Sequence, residues 1–149
     1  MRKILLAVFA AAACLAAPAQ AQTQPAAAAT SYAGTWGFQS DDYGNDDYGL
    51  ATSGVAVITQ AQGSRYTIRL LVQGLLTERE SGLTHLLVAH EDCAGDASNG
   101  QLAITCHLAE PLPNYQPDSF VLQRGENGDQ LVGALSAAPD GQTTFNRLR

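Results

Sequence analysis

From Thr35 onward, apolar and polar residues alternate with a period of two in short runs separated by turn-forming residues, and the longer period of an amphipathic helix is nowhere sustained. The first run sets Trp36, Phe38 and Ser40 on one face and Thr35, Gly37 and Gln39 on the other. In the second, Val55, Val57 and Thr59 alternate with Gly54, Ala56 and Ile58, and residues 60–64 around Gly63 form a hairpin turn. The third is the most regular, with Tyr66, Ile68, Leu70 and Val72 against Arg65, Thr67, Arg69 and Gln73. Residues 74–82, which carry Glu78, Arg79 and Glu80, read as a connection with room for one helical turn. Residues 83–92 form a fourth strand that is apolar on both faces at Leu86, Leu87 and Val88, so its inward side stays open. Leu102, Ile104, Cys106 and Leu108 mark the fifth, Phe120 and Leu122 the sixth, and Leu131, Gly133 and Leu135 the seventh. Pro139-Asp140-Gly141 reads as a turn, because Pro presets φ and Gly accepts a positive one, and Thr143, Phe145 and Arg147 share a face of the eighth.

Eight short strands with a turn signal at nearly every junction predict an all-β domain, either an antiparallel up-and-down barrel or a β-sandwich. An immunoglobulin-type sandwich staples its two sheets with cysteines far apart in sequence, whereas Cys93 and Cys106 are near neighbours; the barrel is therefore preferred. A barrel in an outer membrane would turn Arg65, Thr67 and Arg69 toward lipid and lacks aromatic girdles. Pro111, Pro113 and Pro117 remove three donors and interrupt the ladder between the fifth and sixth strands.

The first residues have a different character. Met1-Arg2-Lys3 is basic, an apolar run too short to span a bilayer follows, and Ala19-Gln20-Ala21 has the small residues a signal peptidase accepts, which predicts a cleaved leader over 1–21. Residues 22–31 hold no large apolar side chain and read as a flexible tether, leaving 32–149 as the barrel domain. Taking Arg2 and Lys3 from a net charge of −6 leaves −8, which repels nucleic acid and anionic lipid, and Lys3 is the only lysine in the chain. With Cys14 assigned to the leader, the remaining pair of cysteines forms a disulfide in an oxidising compartment, so a periplasmic or secreted product is expected. The rival reading makes Cys14 the acylated residue of an outer-membrane lipoprotein, although Ala11-Ala12-Ala13-Cys14 lacks the usual leucine.

Asn99-Gly100 lies midway between Cys93 and Cys106 and is a strong hairpin signal. Counting outward from a two-residue turn, Ser98 meets Gln101 and Cys93 meets Cys106 at a non-hydrogen-bonded site, where side chains lie closest. A cross-strand disulfide there stabilises by about 3 kcal/mol in the chain-entropy picture. The same register sets Asp92 opposite His107 with His90 diagonal to it, a set that could hold Zn²⁺ or serve simply as a polar outer face. Asp41, Asp42, Asp46 and Asp47 interleave with Tyr43 and Tyr48 in a first loop; the carboxylates suit Ca²⁺ or plain solvation, and the tyrosines, taken as exposed, suit a partner. No nucleophile elbow, zinc-protease motif or phosphate-binding glycine loop occurs, and a lone His85 in a strand is weak ground for a general base, so the expectation is a protein that is not an enzyme and needs no cofactor.

Gly34-Thr35-Trp36 at the start of the first strand, together with a basic residue on the last, Arg147 or Arg149, resembles the calycins, the group of lipocalins, avidins and bacterial secreted metalloprotease inhibitors. The resemblance implies an eight-stranded barrel in which Arg147 packs across Trp36 at a closed end; since lipocalins are usually longer, the expected cavity here is small and filled by Tyr66, Leu70, Phe120 and Phe145. It also implies a binding module, monomeric or a small oligomer, for a small apolar ligand or a protein partner. Two alternatives remain: a periplasmic protease inhibitor acting through its N-terminal tether, and a structural envelope protein. On the binding-module reading the function belongs at the end opposite Trp36, around residues 41–49 and 111–117.

Overall fold

The alternating runs become strands because each turns one face of a pleated ribbon toward a common interior. A computed structural model describes residues 31–113, 115–135 and 138–148; the leader, Cys14, the tether before Ser31, and Arg149 lie outside them. The strands are β1 (Gly34–Ser40), β2 (Tyr43–Gly44), β3 (Tyr48–Gln62), β4 (Arg65–Glu78), β5 (Thr84–Ser98), β6 (Gln101–Leu108), β7 (Ser119–Arg124), β8 (Gln130–Leu135) and β9 (Ala138–Arg147). From β3 to β9 each pairs antiparallel with its neighbour in sequence, and β1 pairs with both β9 and β3, so that eight strands close a barrel with the two-residue β2 added along β3.

Three segments depart from the sequence-based expectation. Residues 74–78 are strand rather than connection, because β3 and β5 supply partners on both sides as far as Tyr48↔Glu78 and Thr77↔Thr84. The fourth expected strand starts at Thr84 and runs on to Ser98, ending where Asn99 (φ 50°) and Gly100 (φ 78°) reverse the chain with the left-handed geometry a tight hairpin needs. Pro139–Gly141 do not form the turn into the last strand. They lie within β9, where Leu135 faces Ala138 but Ala134 faces Gln142, so these residues depart from the ladder as a bulge.

The interior is layered. Trp36, Ile58, Ile68, Leu102, Ile104, Leu122 and Leu131 are buried, and beside them Phe38 stacks on Phe145 at a centroid distance of 5.0 Å while Phe120 meets Phe145 edge-on at 5.4 Å. Tyr66, Leu70, Phe120 and Phe145 all fill interior space. Facing positions β5 Cys93 and β6 Cys106 carry a disulfide with Cα atoms 4.0 Å apart.

One end of the barrel is tied shut. The Arg147 guanidinium lies 4.2 Å over the Trp36 ring and donates to the Ala33 carbonyl at 2.9 Å, while the indole Nε1 donates to the Tyr32 carbonyl at 3.0 Å. Gly34, with φ 147°, passes directly beneath that guanidinium, and a Cβ there would collide with Arg147 Nη1; this is the local reason for glycine two residues before the Trp. Arg124 repeats the device, stacking 4.4 Å over Tyr32 and donating to the Ser31 carbonyl at 2.8 Å, and the Tyr32 hydroxyl reaches the Gly100 carbonyl at 2.9 Å. The segment just before β1 is thereby laid across the barrel bottom.

Candidate functional site

The opposite end is built otherwise. There the inward positions shrink to Thr52 on β3, Gly74 on β4, Ala89 on β5 and Thr143 on β9, all buried. Small walls leave room, and the room is filled from outside the ladder: Tyr43 of β2 and Leu112 and Tyr115 of the segment joining β6 to β7 pack half-buried against the core. Two short segments therefore stopper this end with side chains, whereas the Trp36 end is tied by backbone contacts and two stacked arginines.

Beneath the stopper lie two carboxylates. Glu91 is 1 % exposed and Asp118 7 % exposed. The Asp118 amide donates to Glu91 Oε1 at 3.2 Å, and the Tyr115 hydroxyl donates to Asp118 Oδ2 at 3.3 Å. Burial, and secondarily the negative charge of Asp118, pushes Glu91 up to about 7; burial likewise pushes Asp118 up to about 6. Tyr43, which engages the Thr52 hydroxyl, is raised to about 12 by burial and then by the neighbouring carboxylates, and Tyr115 is raised for the same reasons. Ser40 Oγ accepts from the Thr52 amide at 2.8 Å and lies 3.0 Å from Thr52 Oγ1, which continues the polar set to β1. Among the described residues, two buried side-chain oxygens have no hydrogen-bond partner, Glu91 Oε2 and Thr143 Oγ1, and Thr143 stands opposite Ser40 in the β1–β9 ladder.

A seam leads to this layer. The β5–β6 ladder ends at Glu91↔Leu108, followed by one more bond from the Ala109 amide to the His90 carbonyl at 2.9 Å. Beyond it the edge of β5 is separated from the joining segment by a cleft of about 150 Å³ lined by Val88, Ala89, His90, Glu110, Pro111 and Leu112. The rim above is apolar, with Leu83, Leu86 and Val88 exposed at 60, 66 and 47 %.

The residues singled out from sequence fall in three places. The acidic stretch is a miniature hairpin in which Asn45 Oδ1 accepts from the Asp47 and Tyr48 amides, both at 2.9 Å, and the Arg79 guanidinium joins Asp42 at 3.2 Å. Tyr48 is exposed, but Tyr43 is not: its ring turns inward to the stopper, because β2 pairs with β3 and carries it over the barrel mouth. Asp41, Asp46 and Asp47 stay at the surface. Asp92 does face His107, and His90 shares their outer face, where Asp92 Oδ1 lies 3.8 Å from Arg69 Nε. Asp92 and His107 border an open outer groove of about 950 Å³ shared with Arg69, Thr67 and Thr105. Among the described residues, metal-type ligand atoms converge instead at Glu91, Cys93 and Cys106, two of which are spent in the disulfide.

Sequence reasoning missed Glu91 and Asp118, yet a signal for the first was present. Cys106 shares a face with Leu102, Ile104 and Leu108; its partner Cys93 must then point inward, and by the period of two so must Glu91.

No protein-family model and no curated protein matches the chain. Among solved structures it is similar to a de novo designed fluorescence-activating β-barrel, at 15 % identity and a TM-score of 0.54, over 78 % of this chain and 94 % of that one. At that identity the likeness is one of fold.

Proposed function

We propose that this chain is an exported, non-enzymatic binding barrel of the calycin type, which takes a small ligand at the end opposite Trp36. The observation that carries the reading is the asymmetry of the two ends: one is tied by Arg147 and Arg124, the other has small walls, unpartnered buried polar atoms and a stopper made of Tyr43, Leu112 and Tyr115. Ligand sites favour the mouth of a barrel, with an apolar lining and a few polar groups that set orientation. The ligand enters along the seam between β5 and the segment that follows β6 and lodges among the stopper side chains. The designed barrel of similar fold bears a title that describes fluorescence activation, which is compatible with a small molecule held within such an architecture. The Cys93–Cys106 disulfide accords with an oxidising compartment outside the cytosol. Recognition is preferred over catalysis because the two carboxyls lie beneath packed side chains and both barrel cysteines are oxidised.

Native mass spectrometry of the protein isolated from its own source is expected to show a co-purifying small molecule. A solvatochromic apolar dye is expected to bind the emptied protein and to be lost on Ala89→Trp, which fills the mouth, but not on Val121→Trp on the outer surface. Equal dye binding by both variants would reject the assignment of the mouth.

A further inference from the structure

Among the described residues, the mouth has negative charge and no positive partner. Proteins bury carboxylates against arginine, lysine or a metal, since an unpaired buried charge is costly. Here, among the described residues, Arg69, Arg79 and Arg147 are engaged with Asp92, Asp42 and Asp129, Arg124 is stacked on Tyr32 at the far end, and Arg65 is exposed opposite Asp96; the single lysine is Lys3. His85, His90 and His107 are exposed, and among the described residues no ion pair reaches Glu91 or Asp118. The Asp118 amide donates to Glu91 Oε1, and the Tyr115 hydroxyl donates to Asp118 Oδ2 while lying against the Glu91 carboxyl as well, yet no donor is in bonding geometry with Glu91 Oε2. Independently, Thr143 Oγ1, 1 % exposed and inward at the same end, also has none.

Resting on the reading of the mouth as a ligand site, we propose that its ligand is a small organic ammonium, a primary amine on an apolar tail. The ammonium has three donors and one charge. It supplies what the site lacks, donating to Glu91 Oε2 and offsetting one of the pair's two negative charges. The faces of Tyr43 and Tyr115 flank a cation of this kind favourably. Val72, Ala89, Leu108 and Leu112 form an apolar wall for the tail. A hard metal ion would need about six oxygens and retained water, whereas among the described residues the only charged oxygens here are two carboxylates and the remaining polar groups are hydroxyls, which are weaker ligands. Because the ammonium competes with the proton for the carboxylates, binding weakens as pH falls.

The test is calorimetric titration of the full chain, disulfide intact, with hexylamine, with 1-hexanol as its neutral counterpart, and with CaCl₂. Hexylamine is expected to bind at pH 8 about tenfold or more tightly than 1-hexanol, the worth of one charge-assisted hydrogen bond, and to lose that advantage at pH 5. Glu91→Gln is expected to remove the advantage of hexylamine over 1-hexanol, and Asp118→Asn to reduce it; thermal melts of both variants establish that they are folded. Equal affinity for amine and alcohol would overturn the ammonium assignment and leave the ligand site standing. Binding of CaCl₂ alone would replace it with a metal site, and binding of none of the three would overturn both this inference and the reading of the mouth.

Discussion

Replacing Glu91 by Gln is expected to make the protein more stable at alkaline pH and to leave it unchanged in mild acid. The substitution keeps the shape and the acceptor that takes the Asp118 amide, and it removes a charge that the interior does not pair. In the folded chain the Glu91 carboxyl is pushed from 4.5 up to about 7, by burial first and by Asp118 second. The folded protein therefore holds a proton that the unfolded chain has already released. Its stabilising effect is complete below pH 4.5 and is lost as pH rises through 7. The gap corresponds to at most about 3 kcal/mol, reduced by whatever solvent and the coupling to Asp118 screen. Asp118, raised to about 6 by burial, adds in the same direction. Urea unfolding of wild type and Glu91→Gln at pH 4.5, 6, 7 and 8 reads the effect directly. With a slope of about 1–3 kcal/mol/M, the midpoint of the variant should exceed that of wild type by up to roughly 1–3 M at pH 8 and coincide with it at pH 4.5. Comparing the two proteins cancels the general repulsion of an acidic chain, which changes over the same range. Parallel curves across the whole interval would refute the reasoning, since they would mean that Glu91 ionises in the folded protein as freely as in the unfolded chain.

Trp36→Ala should cost about 3–5 kcal/mol, because it empties a fully buried site and strips Arg147 of its stacking surface; chemical denaturation measures it, and wild type should show the blue-shifted emission of a Trp with no exposed surface. Gly34→Ala should destabilise without altering the mouth, since its added Cβ meets Arg147 at the far end; a loss of dye binding in a folded variant would contradict the separation of the two ends. Reducing Cys93–Cys106 should cost about 3 kcal/mol, or less where the Asn99-Gly100 hairpin persists in the unfolded chain, and is read from melts with and without dithiothreitol. With Asp92 drawn toward Arg69, a Zn²⁺ titration should give the same trace for wild type and His107→Ala; a loss of heat in the variant would restore His90, Asp92 and His107 as a metal site.

How far the molecule could be read in advance follows from the range of the forces involved. The period of two marked the inward faces of β4, β6, β7, β8 and β9, because alternation is a local consequence of burying one side of a ribbon. Asn99-Gly100 set the register that brings the cysteines together, since a two-residue turn leaves no freedom in the count. Where both faces of a strand are apolar, the period carries no information: in β5, Leu86 and Val88 are exposed although they look like core, and Ala89 and Glu91 are buried although they do not. Residues 74–78 looked like a loop by composition and are strand because partners wait on both sides.

The sequence by itself determined a chain of short antiparallel strands, a disulfide hairpin and a Trp at the first strand's start, each through contacts of short range or through turn geometry. Only the tertiary structure decided that Arg147 lies across Trp36 and that Glu91 and Asp118, 27 residues apart, meet under Tyr43 and Tyr115. Closing the barrel sets which polar residues lose their water, and a carboxylate's chemistry follows from that loss rather than from its neighbours in sequence.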